Sequence, residues 1–208
     1  MSNTIASRNQ ALFKTLLFAF LLLPALNLLW QFLYGDLGVN PVETLLHETG
    51  EWALRILLLT LAMSPLQKLY RSFPFINYRR MIGLYSFFYA FLHFLIYVGV
   101  DQWWDLEAII EDIYERPYIT IGFAAFVLLI PLAITSTQRM RRRMQMNWVR
   151  LHRAIYLIAI LGVIHFWWLV KADVQEPLIY AGILFVLLAY RMVQRIRFSY
   201  SQQRSVSS

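Results

Sequence analysis

Histidine is the residue type in this chain best suited to cofactor chemistry, and there are only four histidines among 208 residues. Three of them, His93, His152 and His165, fall within or at the edge of long apolar segments. Histidine is uncommon inside membrane spans and usually functional there, because an imidazole in hydrocarbon needs a partner. His152 and His165 are thirteen residues apart in one segment. At 1.5 Å per residue that spacing separates them by about 20 Å on one face of a helix. His93 lies past the middle of an earlier segment running in the same direction, so it matches His165 in depth. Two imidazoles at one depth on two helices are the ligand pair of a bis-histidine haem. The plainer alternative is that each histidine packs between helices or sits at the lipid interface. Zinc is disfavoured, since the chain has no cysteine and its spans carry no acidic side chain.

The inner level is less complete. The position on the His93 segment that matches His152 in depth is Arg79. Arginine is a poor iron ligand but a good partner for a haem propionate or a flavin phosphate. His47 begins another segment, and His47, Glu51 and Arg55 recur at one helical turn, so they share a face. Arg55 needs an anion, which is either Glu51 or a haem propionate. His47 is a quinone or propionate contact, or only an interface residue. Tyr85 and Tyr89, two turns and one turn before His93, either line a cofactor channel or pack. Gly83 and Gly162 permit close approach of a helix or a macrocycle.

The elements that must position these residues follow from composition. The chain is 59 % hydrophobic and 15 % charged, with a mean hydropathy of +0.52. The apolar residues come in blocks long enough to cross a bilayer, which takes roughly 20 residues. Six spans are expected, at about 11–34, 52–67, 82–100, 118–137, 153–170 and 178–194. This predicts an all-α integral membrane protein, one six-helix transmembrane domain over 1–208. Pro65 is expected to end the second span and Pro117 to precede the fourth; Pro24 and Pro131 lie inside spans as possible kinks. The longest loop, 101–117, is acidic with interleaved apolar residues, the pattern of an interfacial amphipathic helix. No internal repeat suggests a duplicated transporter, and the polar tail 201–208 is the one low-complexity stretch.

The charges sort by loop. Asp36, Glu43, Glu48 and Glu51 lie between the first two spans; Lys68, Arg71, Arg79 and Arg80 between the next two. The 101–117 loop is acidic, and Arg139, Arg141, Arg142, Arg143 and Arg150 follow the fourth span. The positive-inside rule then places both termini in the cytoplasm. The net charge of +7 reflects basic loops beside spans, whose default partner is an anionic lipid headgroup rather than nucleic acid. The absence of cysteine excludes disulfides, cysteine-held clusters and covalent c-type haem.

Several stretches resemble one family over essentially the whole chain: GDLGVNPVETLLHETGEWAL, SPLQKL, RRMIGLYSFFYAFLHFLIY, ERPYITIGF, LAITSTQRMRRR, and NWVRLHRAIYL followed by IHFWW. They are similar to the haem-binding membrane subunits of periplasmic methionine sulfoxide reductase systems, the MsrQ family, within the ferric-reductase-like transmembrane superfamily. The resemblance implies a protein of the bacterial inner membrane. It implies b-type haem with His93, His152 and His165 as the haem-associated histidines, and FMN as a further cofactor. It also implies a quinone pool or cytoplasmic flavin reductase as donor, and a periplasmic molybdopterin subunit as acceptor. Superfamily members with two haems use four histidines; Arg79 stands where the fourth belongs, so a second haem is left open. The basic face around Arg79, Arg80 and Arg150 is the alternative holder of an FMN phosphate. No glycine-rich dinucleotide motif is present. A respiratory-type cytochrome b with another donor and acceptor, a proton-relaying transporter and a plain membrane anchor remain the alternatives.

Overall fold

The computed structural model describes residues 2–170 and 174–206, and every described element is helical. The chain divides into two compact units. The first comprises the chain up to Thr60 with Ile76–Arg116; the second comprises Leu61–Phe75 with the chain from Pro117 onward.

The first unit holds α1 (Ser2–Tyr34), the greater part of α2 (Pro41–Leu69), α3 (Arg79–Ile96) and α4 (Leu106–Glu115). Gly35 and Gly38 turn the chain between α1 and α2 at φ +73° and +80°, a region that suits glycine. Asn40 then starts α2: its side-chain oxygen accepts from the Glu43 amide at 3.4 Å, while its amide donates to Glu43 Oε2 at 2.8 Å. Leu28, Leu37, Leu45 and Ile96 form a buried apolar cluster. After α3 the chain widens into one π-helical turn, Tyr97–Asp101. Asp112 of α4 ties that turn down, accepting from Tyr97 Oη at 3.2 Å and Gln102 Nε2 at 3.0 Å, with Arg116 Nε at 3.1 Å. The expected amphipathic segment is thus a helix, capped by Asp105 through the Glu107 and Ala108 amides. Leu106, Ile110 and Tyr114 make an exposed apolar stripe on it.

The second unit holds the end of α2, then α5 (Pro117–Ile134), α6 (Gln138–Met144), α7 (Met146–His152), α8 (Ala154–Leu169) and α9 (Gln175–Val206). Pro117 opens α5, where its missing N–H costs nothing. Thr137 caps α6 through the Met140 amide. The segment expected to be a polar tail is helical as far as Val206, and its last two residues lie outside the described ones.

Among the described residues, five helical stretches are long and apolar enough to cross a membrane: Gln10–Tyr34, Arg79–Asp101, Pro117–Ile134, Met146–Leu169 and Gln175–Arg197. Helix α2 has the length but not the composition, because Glu51, Arg55 and Lys68 leave it a shorter apolar run.

Two prolines explain contacts that composition alone does not. Pro24 inside α1 offers no N–H and crowds the preceding turn, which loosens the ladder beside it. The Tyr89 hydroxyl enters that opening. It donates to the Leu21 carbonyl at 2.8 Å and accepts from the Ala25 amide at 3.1 Å, one residue after the proline. Tyr89 is fully buried. Tyr85 repeats the contact one turn away, donating to the Phe18 carbonyl at 2.8 Å. These tyrosines therefore join α3 to α1.

Pro65 does not end its helix, contrary to the sequence expectation: α2 runs on to Leu69. A proline at 65 deprives the Leu61 carbonyl of its donor four residues on. Arg191 of α9 supplies one, with Nη2 at 3.0 Å from that carbonyl. Arg191 Nη1 donates to the Tyr156 hydroxyl of α8, and the guanidinium lies 5.0 Å over the Tyr156 ring. One arginine thus repairs α2 and pins α8 to α9.

Two outcomes follow. Tyr89→Phe should cost about 1–3 kcal/mol, read as a lowered thermal midpoint in detergent with helicity retained. Arg191→Met should destabilise the native chain more than it destabilises a Pro65→Ala background, in which the Leu61 carbonyl regains its own helical amide. Equal costs in the two backgrounds would overturn the repair.

Candidate histidine site

His93 leaves α3 toward α2 within the first unit. Its Nδ1 lies 2.9 Å from the Leu46 carbonyl oxygen, with Thr49 Oγ1 at 3.4 Å. A carbonyl only accepts, so Nδ1 carries the proton and the ring lone pair is on Nε2. The Thr49 hydroxyl is directed instead at the Leu45 carbonyl, at 2.6 Å. His165 leaves α8 toward α5 within the second unit. Its Nδ1 lies 2.7 Å from the Tyr118 carbonyl oxygen, which fixes the same tautomer. Holding a ligating histidine through its other ring nitrogen, on a backbone carbonyl, is the usual support of a metal-bound imidazole. Each imidazole, within its own unit, therefore presents Nε2 as its basic atom, the donor chemistry that a haem iron takes.

His152 is arranged differently. Its Nε2 lies 3.0 Å from Thr135 Oγ1, and Trp148 stacks on its ring at 3.9 Å. The Thr135 hydroxyl proton already goes to the Pro131 carbonyl at 2.6 Å. The hydroxyl must then accept, so His152 carries its proton on Nε2, the nitrogen that His93 and His165 keep basic. Trp148 Nε1 donates to the Thr135 carbonyl at 2.9 Å and completes the cluster. In this conformation His152 does not offer Nε2 to iron. Its register with His165 also passes through a tightened turn at Arg153 between α7 and α8, where Arg153 bonds back to Arg150 and Tyr156 back to Arg153.

His47, Glu51 and Arg55 lie along one face of α2, as their spacing requires. Glu51 stands between the other two, ion-paired with Arg55 and 4.0 Å from His47 Nδ1. Arg55 lies 5.2 Å over the Trp52 ring. Arg79 is half-buried at the start of α3 and Arg80 exposed beside it, while Arg150 is exposed on α7. Among the described residues no group of three histidine, aspartate or glutamate side chains is disposed to hold a bare metal ion.

Two residues that positioning depends on are Gly50 and Gly122, which pack against His93 and His165. At Gly83, the glycine singled out on α3, an added Cβ would meet instead the Thr60 methyl at ordinary contact distance. A usable signal is in the sequence: Gly50 precedes His93, and Gly122 precedes His165, by the same forty-three residues.

Residues 49–163 match the model of the ferric reductase like transmembrane component family. The chain is 51 % identical over 189 residues to the protein-methionine-sulfoxide reductase heme-binding subunit MsrQ of Xanthomonas axonopodis pv. citri, covering 88 % of this chain and 87 % of that protein. It is 50 % identical over 177 residues to the subunit of the same name from Rhodospirillum rubrum, covering 83 % and 85 %. No solved structure matches. The chain belongs to the ferric-reductase-like transmembrane family and, within it, to the MsrQ subunits.

The Thr135 cluster yields one expected result. Thr135→Val removes the hydroxyl from both His152 and the Pro131 carbonyl and should cost about 1–2 kcal/mol. Thr135→Ser should restore most of it in the same thermal unfolding measurement.

Proposed function

We propose that this member of the MsrQ family is a b-type haem electron-transfer subunit. It takes electrons from the quinone pool or a cytoplasmic flavin reductase and delivers them to a periplasmic molybdopterin-containing methionine sulfoxide reductase. The observation that carries the reading is the shared tautomer of His93 and His165, each with Nδ1–H given to a helix carbonyl. The proposed setting is the bacterial inner membrane. Six spans cross it with α2 among them, and both termini are cytoplasmic, on the strength of the loop charges.

His93 and His165 are the residues that would hold the haem iron, each through Nε2. When bound, haem supplies a one-electron ferric–ferrous couple. The chain's own part is to hold two neutral imidazoles with fixed tautomers, so that little rearrangement accompanies a change of iron charge. The Nδ1–H bonds to Leu46 and Tyr118 raise imidazole basicity and steady each ring. Arg55, already neutralised by Glu51, is a propionate contact only if it shares its charge, and His47 is the neighbouring candidate for a quinone or propionate. His152 is proposed as a contact of an inner cofactor. Arg79, Arg80 and Arg150 are the proposed holders of an FMN phosphate, with a second haem as the alternative there.

The exposed carboxylates Glu107, Glu111 and Glu115 of α4 are the proposed steering charges for the periplasmic acceptor. Asp112 is spent on Tyr97, Gln102 and Arg116, so it stabilises the loop rather than steering.

The test is an optical spectrum of purified protein, oxidised and then dithionite-reduced, with pyridine-haemochrome and flavin quantification. His93→Ala and His165→Ala should each lose the reduced b-type spectrum, while His152→Ala should retain it. Folded, haem-supplied protein without a chromophore would overturn the reading.

A further inference from the structure

In an α-helix the Cα–Cβ bond tilts toward the N-terminus, so a side chain covers the turn before its own Cα. The side chain of residue i+4 therefore lies over the carbonyl of residue i. The two carbonyls that hold the histidines are Leu46 and Tyr118, and the residues four places on are Gly50 and Gly122. A Cβ at Gly50 would stand 3.2 Å from both Nδ1 and Cε1 of His93. At Gly122 it would stand 2.7 Å from the same two atoms of His165 and 3.1 Å from its Cγ. The missing side chain is what lets a flat ring reach a carbonyl already engaged in its own helix.

The device is built twice, once in each unit. Leu46 and Tyr118, Gly50 and Gly122, His93 and His165 are each seventy-two residues apart. The local sequences agree as well: Leu92-His93-Phe94 answers Ile164-His165-Phe166. The arrangement around the two histidines is thus repeated, although the flanking sequences do not announce it.

We infer that Gly50 and Gly122 are positioning residues for the two imidazoles, and that the unequal clearances rank them, with Gly122 the more stringent. A methyl at Gly122 cannot be accommodated without moving the His165 ring, whose atoms are held on Tyr118 and cannot swing aside like the end of a flexible chain. A methyl at Gly50 asks His93 for only a few tenths of an ångström. The inference rests on the proposal that both histidines ligate haem iron.

The experiment compares Gly122→Ala, Gly50→Ala and Gly182→Ala with native protein, each purified in detergent with haem supplied and checked for a single folded species. The readouts are haem affinity by titration and the low-spin ferric EPR signal, which reports ligand-ring orientation. Gly122→Ala should lower haem affinity about 10-fold or more and shift the EPR signal, in line with loss of a ligand-orienting contact. Gly50→Ala should shift the signal in the same sense but less. Gly182→Ala should match the native protein, because a Cβ there meets nothing within 4 Å. His165→Ala serves as the reference. If it keeps full haem affinity, the ligation reading fails. If it loses haem while Gly122→Ala keeps native affinity and EPR signal, the positioning role alone is overturned. Should Gly122→Ala not accumulate as folded protein, Gly50→Ala decides: an unshifted EPR signal there refutes the inference, and a shifted one sustains it.

Discussion

A helix carbonyl that has accepted its own amide still has a lone pair, and in an apolar setting that lone pair is the most available fixed acceptor there is. Much of this structure depends on how those acceptors are used. His93 and His165 take two of them, at Leu46 and Tyr118. Tyr85 takes one at Phe18, and Ser86 another at Ala53 at 3.0 Å. The helices are held in part by side chains that reach across and bond a neighbour's backbone, at positions where burial makes each such bond worth keeping. Water offers no competing partner inside a bilayer, so a bond of ordinary strength becomes a reliable locating pin.

The prolines extend the same logic. A proline inside a helix creates an acceptor with no donor, and such a fault becomes an attachment point when the sequence supplies a donor elsewhere. Pro65 and Arg191 form one such pair, and Arg191 then also engages Tyr156. Pro24 loosens α1 enough for the Tyr89 hydroxyl to serve as both acceptor and donor within one turn. Near Pro131, Thr135 bonds back to the Pro131 carbonyl and becomes an acceptor for His152. The Pro131 carbonyl keeps its own amide donor from Thr135 and takes the hydroxyl as a second, so the tautomer of His152 follows from where the Thr135 proton goes.

The histidines, the helical class and the face shared by His47, Glu51 and Arg55 could be read from residue type and spacing, because those signals are local and periodic. The continuation of α2 past Pro65 could not. Its cause lies at Arg191, and nothing near Pro65 in the sequence reports it. The same holds for Tyr85 and Tyr89, whose partners are backbone atoms of α1, and a backbone atom leaves no mark in a sequence. Asp112 shows the complementary difficulty. As one acid in an acidic loop it looks like its neighbours, and only its partners Tyr97, Gln102 and Arg116 set it apart. Glycine is the hardest case, since its contribution is an absence. Gly50 and Gly122 carry no side chain to suggest a role, and the meaning of their equal spacing from the histidines emerges only beside the ring that fills the vacated space.

The supports of the two histidines are alike for a geometric reason. A histidine alone can be placed on many helices, but a histidine whose Nδ1 reaches a carbonyl requires a second helix at a fixed distance and an uncovered turn upon it. The constraint links three positions: carbonyl, glycine four residues on, and histidine forty-seven residues after the carbonyl. The three must stay in register for the contact to form. Repetition of the set at a constant offset, within surroundings that no longer resemble each other, is what such a constraint leaves behind. It also explains why both rings present the same nitrogen. The tautomer is not chosen separately at each histidine but is inherited from a shared backbone arrangement, so the chain presents two equivalent imidazoles by building one support twice.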